Sequence, residues 1–506
     1  MSTLNYTLPS NVGVNPESIL NIVNILDECD CHSFMILRHN KIISQGWWKP
    51  YNPNYSHSLF SLSKSFVSTA ICFAVQENLI TFDDYIINFF PEYFPLPPSE
   101  NMKKVQIKHL LMMSYGRPAS LDPDFYYRKD WLEENLHVYL YHEPGTKFLY
   151  DNRCSYILSA LLQKVTGKTV FEYLQPRLFK PLEIENIFWE EKNGYNMGRG
   201  GLNLKTVDLA KFGLFLKNKG QFNGKQLLRG DLVDEMTKYH IKTSDSNFTR
   251  SSAPDFMQGY GYFFWMCQNG GYRADGACSQ FLVVMPKEDI VVAITASTTT
   301  KGQVILQSLW DNLVDKLDEK SCISNEKEKV LQNQKILDDK LNSLNIRFLS
   351  STVNFNSIDY QKFSGKIYKI CQNGANVVKL SVVFGDVFDT LNLWALGNSK
   401  EPSDNSPKEA ILLSLRVGHD EWVENDTKFE TDNFHSHSTI LFSDVACSSK
   451  WMSETEYAVK LVYTRTPYTD MIKINFLDNA IDGEYICYPV MANRGKSFQI
   501  MGVEIK

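Results

Sequence analysis

Apolar positions in the first 320 residues follow two periods, and each period predicts a different element. Runs rich in β-branched and aromatic residues indicate strands, whereas apolar residues recurring every three and four positions indicate one face of a helix. The strand pattern covers residues 33–48, 259–267, 279–286 and 289–297, with a turn at His39-Asn40-Lys41. The helical pattern starts at Ser61 and recurs at 105–116, 152–167 and 303–317, with helix ends expected at Gly116 and Gly167.

The pattern changes after about residue 320. Residues 325–344 are charged and helical, which predicts a connector, and strand patterns dominate from residue 348 onward. Several short strands separated by turns are typical of a β-sandwich or a β-barrel. We therefore predict a first domain at 1–320, a helical connector at 321–346 and a β-rich domain at 347–506.

Composition excludes several classes of function. The net charge of −6 gives no basic surface for nucleic acid, and we expect no nucleic-acid partner. The start, "MSTLNYTLPSNVG", lacks the basic end and apolar core of a signal peptide. No apolar run is long enough to cross a bilayer, so we expect a cytoplasmic protein without a membrane partner.

The metal-binding residue types are scattered. Most of the ten cysteines lie inside apolar stretches, which favours buried, reduced thiols. Cys29 and Cys31 form a lone C-x-C, and His435 and His437 would share one face of a strand, but neither pair has further ligands at a recognisable spacing. We expect no metal and no cofactor.

Ser61 and Lys64 stand three positions apart where the first helical pattern begins. Residues at this spacing are neighbours on a helix, so a hydroxyl would lie beside an amine. A serine needs a base to act as a nucleophile, and a lysine can serve when burial and nearby positive charge lower its pKa. The motif alone is weak, because Ser324 and Lys327 repeat it in the connector, where we expect no function.

Tyr150 and Asn152 form a Tyr-x-Asn motif just before another helix. A neighbouring ammonium would lower the pKa of the tyrosine and let its phenolate take a serine proton. The asparagine amide could contact a substrate carbonyl. Each of these four residues also has a structural explanation, because a helix cap, a solvated lysine and a turn need no catalytic role.

The order of these motifs resembles that of the class C beta-lactamase-like serine hydrolases, relatives of penicillin-binding proteins. The segments "VQIKHLLMMSYG", "GGLNLKTVDLAKFGLFLKNKGQFNGKQLL", "YGYFFWM" and "YRADGA" are similar to that family as well. The resemblance implies an α/β (α+β) fold, with an antiparallel sheet flanked by helices beside a helical lobe. It also implies that Ser61 is acylated, Lys64 activates it, Tyr150 is a general base and Asn152 contacts substrate. Residues 347–506 resemble the lipocalin-like β-domains appended to some members.

The third motif of the family departs from its pattern here. Relatives have Lys or His, any residue, then Gly on a strand beside the site, whereas the counterpart in this chain is Ala274-Asp275-Gly276. Successive side chains of a strand face opposite sides, so Arg273 would share a face with Asp275 and leave Ala274 in the site-facing position. Gly276 would keep the close backbone approach, and the Ala277 N–H could pair with the Ser61 N–H as an oxyanion hole.

These residues together predict a serine hydrolase that cleaves a small amide or ester through an acyl-enzyme. The alternative is a catalytically dead relative that binds a peptide-like ligand or acts as a scaffold. Ser403-Asp404-Asn405 spells a further penicillin-binding motif, but it lies in a polar loop of the β-rich region, and we expect it to have no function. The sequence leaves the natural substrate, the oligomeric state and the role of the C-terminal region open.

Overall fold

The computed structural model has a mixed α/β fold with two compact units. It describes residues 4–94, 97–117, 131–244, 253–317, 327–348, 358–371, 373, 377–396, 410–430, 442–488 and 497–505. The first unit comprises Met1–Gly46, Ser58–Ala296 and Thr300–Leu344. The second comprises Trp47–His57, Ser297–Thr299 and Asn345–Lys506.

The described α-helices belong to the first unit. In chain order they are α1 (Pro16–Glu28), α2 (Ser63–Gln76), α3 (Glu100–Lys103), α4 (Ile107–Leu111), α5 (Trp131–Leu136), α6 (Asn152–Thr166), α7 (Val170–Leu174), α8 (Thr206–Lys217), α9 (Gly230–Thr237), α10 (Gly302–Leu309) and α11 (Lys327–Asn342). Among the described helices, none combines the length and the apolar composition needed to cross a membrane.

The strands up to residue 296 are mostly short. They are β1 (Cys31–Arg38), β2 (Lys41–Trp47), β3 (His57–Ser58), β4 (Phe188–Trp189), β5 (Glu191–Lys192), β6 (Tyr195–Asn196), β7 (Leu202–Leu204), β8 (Gln221–Phe222), β9 (Lys225–Gln226), β10 (Trp265–Met266), β11 (Tyr272–Gly276), β12 (Gln280–Met285) and β13 (Ile290–Ala296). Six of them form one sheet in the order β10-β11-β12-β13-β1-β2.

This six-stranded sheet is covered by helices on both faces. Val291 and Leu282 point to α8, where a Cβ at Gly213 would lie 2.4 Å from Val291 Cγ1 and 2.7 Å from Leu282 Cδ1. Phe281, the residue before Leu282, points the other way and lies against Gly302 at the start of α10. The strands from β10 to β1 pair antiparallel, as the resemblance implied.

Helix α2 forms the centre of the helical lobe. Every residue from Ser63 to Ala74 is buried, because α6, α7 and α9 pack around this helix. Two of its hydroxyls donate to backbone oxygens: Thr69 donates to that of Ser65, and Ser65 donates to that of Phe263. The ring of Phe66 stacks on Phe212 of α8 at 4.0 Å, which ties the lobe to the sheet.

Most predicted elements of the first unit are confirmed, with shifts at their ends. The turn between β1 and β2 contains His39 and Asn40, both with positive φ, and Gly167 ends α6 in the left-handed region. The α-helical part of α2 starts two residues later than predicted, after a 3-10 turn at Phe60–Leu62. The strand expected at 259–267 is largely wrong, since only Trp265–Met266 pairs within the sheet.

The charged helix near residue 330 belongs to the first unit. Helix α11 packs against α1, and its Lys340 Nζ lies 3.0 Å from Asp27 Oδ2 on that helix. Leu337 is buried. The charged pattern therefore marks the solvated side of a docked helix, whereas residues 318–326, which hold Ser324, lie outside the described residues.

The second unit is a closed β-barrel, one of the two predicted architectures. Its strands are β14 (Ile367–Ile370), β15 (Val377–Val383), β16 (Phe388–Leu396), β17 (Ala410–His419), β18 (Val423–Glu430), β19 (Phe442–Trp451), β20 (Glu456–Tyr463), β21 (Thr469–Phe476), β22 (Ala480–Tyr488) and β23 (Ser497–Ile505). The ring runs β17-β16-β15-β14-β23-β22-β21-β20-β19 and closes by pairing β17 with β19, while β18 pairs with β19 beside the ring. A resemblance to lipocalin-like domains stays a prediction.

The closure of the barrel explains its single parallel pairing among the described strands. Nine strands cannot alternate in direction around a closed ring, so one neighbouring pair must be parallel, and that pair is β17 and β19. A buried carboxylate stabilises this seam: Asp389 accepts from Tyr457 at 2.5 Å and lies 2.9 Å from His419 Nε2. Asp389 therefore joins β16, β17 and β20 next to the seam.

We predict that Asp389→Ala loosens the barrel at this seam. The substitution leaves the buried Tyr457 hydroxyl without its acceptor, which costs about 1–3 kcal/mol. Hydrogen exchange followed by mass spectrometry should show faster exchange in peptides from β16, β17 and β20. Asp386→Ala, at an exposed aspartate three residues earlier, is the control, and equal exchange in both variants would contradict the assignment.

Candidate active site

Ser61 lies on the 3-10 turn that leads into α2. Phe60, the residue before it, has a φ of 49°, a left-handed conformation that a bulky side chain adopts only under constraint. Ser63 supplies part of that constraint, because its Oγ donates to the Phe60 carbonyl oxygen at 2.6 Å and accepts from the Leu202 N–H at 3.2 Å. The turn is thus held in place from both sides, with Ser61 half-buried at its centre.

Lys64 is buried directly beside this serine. Its Nζ lies 2.9 Å from Ser61 Oγ and 2.9 Å from the carbonyl oxygen of Arg199. The side chain is 1% exposed. Burial, and next the charge of Arg199, lower the pKa of Lys64 well below its usual value. A lowered pKa favours the neutral amine, the form whose lone pair can accept a proton.

Arg199 is the residue that sequence reasoning missed. It precedes Gly200 in "MGRGGLNL", and its backbone and its charge both act on Lys64. Its guanidinium lies 5.6 Å from the centre of the Trp131 ring. The only signal in the sequence was the position of this arginine directly before a segment similar to the family. No spacing rule connects residue 199 with residue 64.

Tyr150 is the next residue of this group. Lys64 Nζ lies 5.0 Å from the centre of its ring, and the ring stacks on Trp265 with centroids 6.0 Å apart and planes 13° apart. Trp265 itself is 4% exposed and packs edge-on against Phe148 and Tyr260. This aromatic support fixes the Tyr150 ring next to the lysine, as the motif predicted.

Asn152 begins α6, immediately after Tyr150 and Asp151. Its Oδ1 is buried and has no hydrogen-bond partner within the described part of the chain. A buried amide oxygen without a partner is costly, so a site of this kind gains free energy when a ligand N–H or O–H fills it. The position of Asn152 agrees with the role that the motif suggested.

Strand β11 carries the residues of the third motif. Ala274 pairs with Leu282, so it faces the α8 side of the sheet and is fully buried. Arg273 and Asp275 face the opposite side, where Arg273 Nε donates to Asp275 Oδ2 at 3.0 Å. The predicted alternation along the strand is therefore present, and this ion pair lies on the face away from Ala274.

Gly276 brings the end of β11 against the serine turn. A Cβ at this position would lie 2.1 Å from the carbonyl oxygen of Leu59, two residues before Ser61, so only glycine fits. Ala277 follows at the turn after β11 and is half-buried, as is Ser61. Strand β10 pairs only with Tyr272 and Arg273, so β10 leaves the edge of β11 from Ala274 to Gly276 uncovered.

These contacts bring the predicted residues into one site in the first unit. Helix α2 and its preceding turn supply Ser61 and Lys64, the start of α6 supplies Tyr150 and Asn152, and β11 supplies Gly276 and its neighbours. Among the described residues, no three His, Cys, Asp or Glu side chains are grouped to hold a metal ion. The motifs at Ser403-Asp404-Asn405 and at His435 and His437 lie outside the described residues.

Comparison with known protein families agrees with this arrangement. Residues 26–306 match the family described as beta-lactamase, which is more than half of the chain and includes every residue of the site. The chain belongs to the beta-lactamase family. Its family and its curated relatives include hydrolases.

Two curated relatives and one solved structure illustrate the breadth of the beta-lactamase family. An uncharacterised protein of Alkalihalophilus pseudofirmus is 24% identical over 253 residues, covering 43% of this chain and 68% of the relative. The 6-aminohexanoate-dimer hydrolase of Paenarthrobacter ureafaciens is 22% identical over 293 residues, covering 54% of this chain and 74% of the relative. A Bacillus anthracis structure with the same enzyme name is 19% identical, with a TM-score of 0.48, and covers 68% of this chain and 88% of that one.

We predict that Gly276→Ala destabilises the first unit, because the new methyl group must displace the Leu59 carbonyl. Overpacking of this kind costs about 1–3 kcal/mol. The measurement is the free energy of unfolding in guanidinium chloride. Gly200→Ala is the matched control: its Cβ would lie 3.6 Å from the Phe60 backbone, an ordinary contact, and its cost should be clearly smaller. Equal losses would mean that the approach of β11 to the turn is not tight.

Proposed function

We propose that this protein is a serine hydrolase that cleaves an amide or an ester through an acyl-enzyme on Ser61. The observation that carries the proposal is the buried Lys64 amine, 2.9 Å from Ser61 Oγ and with its pKa lowered. A helix cap or a solvated lysine, the simple structural alternatives, would not need a buried amine. No metal or cofactor is part of the mechanism.

In the first step, Lys64 acts as the general base. In the structure its Nζ donates to the Arg199 carbonyl oxygen and to Ser61 Oγ, and the neutral amine can take the Ser61 proton across the same 2.9 Å contact. Ser61 Oγ bonds to the substrate carbonyl carbon while its proton moves to Lys64 Nζ. The electron pair of the carbonyl bond moves onto the carbonyl oxygen, which becomes the oxyanion.

The oxyanion is bound by backbone N–H groups. Those of Ser61 and Ala277 are the candidates, since the contact of Gly276 with Leu59 brings the two segments together. Ser61 also lies at the N-terminal end of α2, where the helix dipole favours negative charge. Asn152, with its unpartnered Oδ1, positions the substrate amide or alcohol beside the serine.

Collapse of the oxyanion breaks the bond to the leaving group. The proton taken by Lys64 passes to the leaving nitrogen or oxygen, and Tyr150, whose ring lies beside Lys64 Nζ, serves as the relay. Water then attacks the acylated Ser61, gives its proton to the same pair, and the serine recovers a proton as the acid leaves. In this mechanism Tyr150 transfers the proton and Lys64 starts the reaction, which the lowered pKa of Lys64 and its contact with Ser61 support.

The substrate classes that suit this site are small esters and amides, including D-aminoacyl compounds, with β-lactams as side reactions. Two similar proteins are named as hydrolases of the 6-aminohexanoate dimer, a linear amide, which supports amide cleavage as one outcome. The fully buried Ala274 supplies no cation for a substrate carboxylate. The cleft therefore favours acyl groups without a negative charge.

The alternative function is a dead relative that binds a peptide-like ligand. Such a ligand would occupy the same cleft, where the buried Asn152 Oδ1 has no partner among the described residues and could accept from a peptide N–H. A fluorophosphonate probe separates the two hypotheses, since it labels only an activated serine. Labelling supports the hydrolase, and its absence in the folded protein supports the binding role.

We predict that Ser61→Ala abolishes fluorophosphonate labelling while the protein stays folded. Removal of the nucleophile stops covalent chemistry, whereas loss of a helix-start hydroxyl costs only about 1 kcal/mol. Ser68→Ala is the control on the same helix, because Ser68 Oγ is buried without a partner and its loss should leave labelling unchanged. If Ser61→Ala is still labelled, the nucleophile is another residue.

We also predict a preference for neutral over carboxylate-bearing acyl substrates. A charge-assisted hydrogen bond to a carboxylate is worth about 1.5–3 kcal/mol, so its absence should cost roughly tenfold or more in kcat/KM. The measurement is the ratio of kcat/KM for a neutral ester and its matched carboxylate analogue. Ala274→Lys should bring this ratio closer to one. A parent enzyme that prefers the carboxylate would point to Arg199 or Arg273 as the cation.

A further inference from the structure

A carboxylate is buried between the two residues of the Tyr-x-Asn motif. Asp151 is 1% exposed, and its Oδ1 accepts from the Arg153 N–H at 3.0 Å, so it caps the N-terminus of α6. Tyr150 directly precedes this cap and Asn152 directly follows it. The orientation of both residues therefore depends on the side chain of Asp151.

Two arginines hold this carboxylate. Arg117 Nη1 donates to Asp151 Oδ2 at 3.2 Å, and Arg153 Nη1 lies 3.5 Å from Oδ1. The side chain of Arg117 is 14% exposed and that of Asp151 is 2% exposed, so the first pair is largely shielded from water. Breaking a buried pair of this kind costs more than the pair contributes, because one charge is left behind.

The charge of Asp151 also reaches the catalytic lysine. Burial and Arg199 lower the pKa of Lys64, and Cys154 and then Asp151 raise it by smaller amounts. Burial raises the pKa of Asp151 itself to about 7, although Arg117 and Lys64 lower it. A change of charge on one of these groups therefore alters the proton affinity of the other.

Other titratable groups surround Asp151 and Lys64. On α6, Arg153 and the buried thiol of Cys154 face the carboxylate. From the segment after α4, Arg117 faces it, and the buried Tyr115 hydroxyl donates to the Asn135 carbonyl oxygen. Arg199 acts on Lys64 from the opposite wall. Among these described groups, Asp151 is a carboxylate that places a negative charge close to Lys64.

We propose that Asp151 is a positioning residue that orients Tyr150 and Asn152 and holds a negative charge on the Tyr150 side of Lys64. This inference rests on the proposed function, because it assigns the role of Asp151 through Lys64. The middle position of Tyr-x-Asn would then control the pH range of the reaction without contacting substrate.

The sign of the effect follows from the charges. An ionised Asp151 stabilises the ammonium form of Lys64, so the neutral amine forms only at higher pH. A neutral residue at 151 removes that attraction, and the pKa of Lys64 falls further. Since the reaction needs the neutral amine, activity then persists to lower pH.

The test is the pH profile of kcat/KM for one neutral ester in the parent enzyme and in Asp151→Asn. Asparagine also caps helices, so the variant keeps the α6 cap while it loses the charge. We expect the acidic limb of the profile to move roughly 0.5–1 pH unit lower. Asp208→Asn is the matched control: Asp208 is also a buried aspartate at a helix start, beside Lys211, and its loss should leave the limb in place.

Arg117→Gln provides a second variant in case Asp151→Asn does not fold. Without Arg117, the pKa of Asp151 rises and its negative charge persists only at higher pH, so the acidic limb should again move lower. A limb that stays in place in a folded variant overturns the proposal, even when the rate falls, because a merely structural role lowers the rate alone. A parent enzyme that shows neither ester hydrolysis nor labelling overturns the proposed function instead.

Discussion

The burial of the Lys64 amine is the constraint on which the rest of the site depends. An ammonium removed from water is destabilised, so the fold must either pair it with a negative charge or let it lose its proton. Here the groups around Lys64 have opposing effects on its protonation. Arg199 opposes the ammonium form and the more distant Asp151 favours it, while the Ser61 hydroxyl and the Arg199 carbonyl bind the amine. Because α2 is buried on all sides up to Ala74, this balance is protected from solvent.

The sequence predicted the elements that carry the site better than the contacts within it. Spacing alone placed Ser61 beside Lys64, because a helical turn brings residues three apart together. The left-handed Gly167 and the alternation of Ala274 and Asp275 were likewise local properties. Arg199 and Asp151 were missed, since their effect on Lys64 depends on how distant segments pack. The strand expected at 259–267 failed because its aromatic residues fill the core around Tyr150 instead of extending a sheet.

In the second unit too, the local sequence pattern predicted the strands but not the pairing between strands that are far apart in the chain. Alternating patterns predicted its strands but left a sandwich and a barrel equally possible. The choice depends on whether the outer strands meet, and that pairing joins β17 with β19 across an intervening strand. A parallel pair of this kind has no signature in a local window. Asp389 favours the closed barrel. Side chains from three strands meet at this one buried carboxylate, and an open sheet would leave some of its hydrogen bonds unmade.

The third motif of this chain lacks the cation that relatives have. A single cation can play two roles, and in this chain the two roles are separate. A positive charge near the site lowers the pKa of the activating lysine, and a positive charge on the strand can also bind a substrate carboxylate. In this chain Arg199 performs the first task from the loop before β7, while Ala274 leaves the second task without a residue on β11. Activation of Ser61 in the proposed mechanism therefore does not require a lysine or histidine on β11. In the proposed mechanism, the absence of a cation on β11 affects which substrate charge the cleft accepts and leaves the contact between Ser61 and Lys64 unaltered.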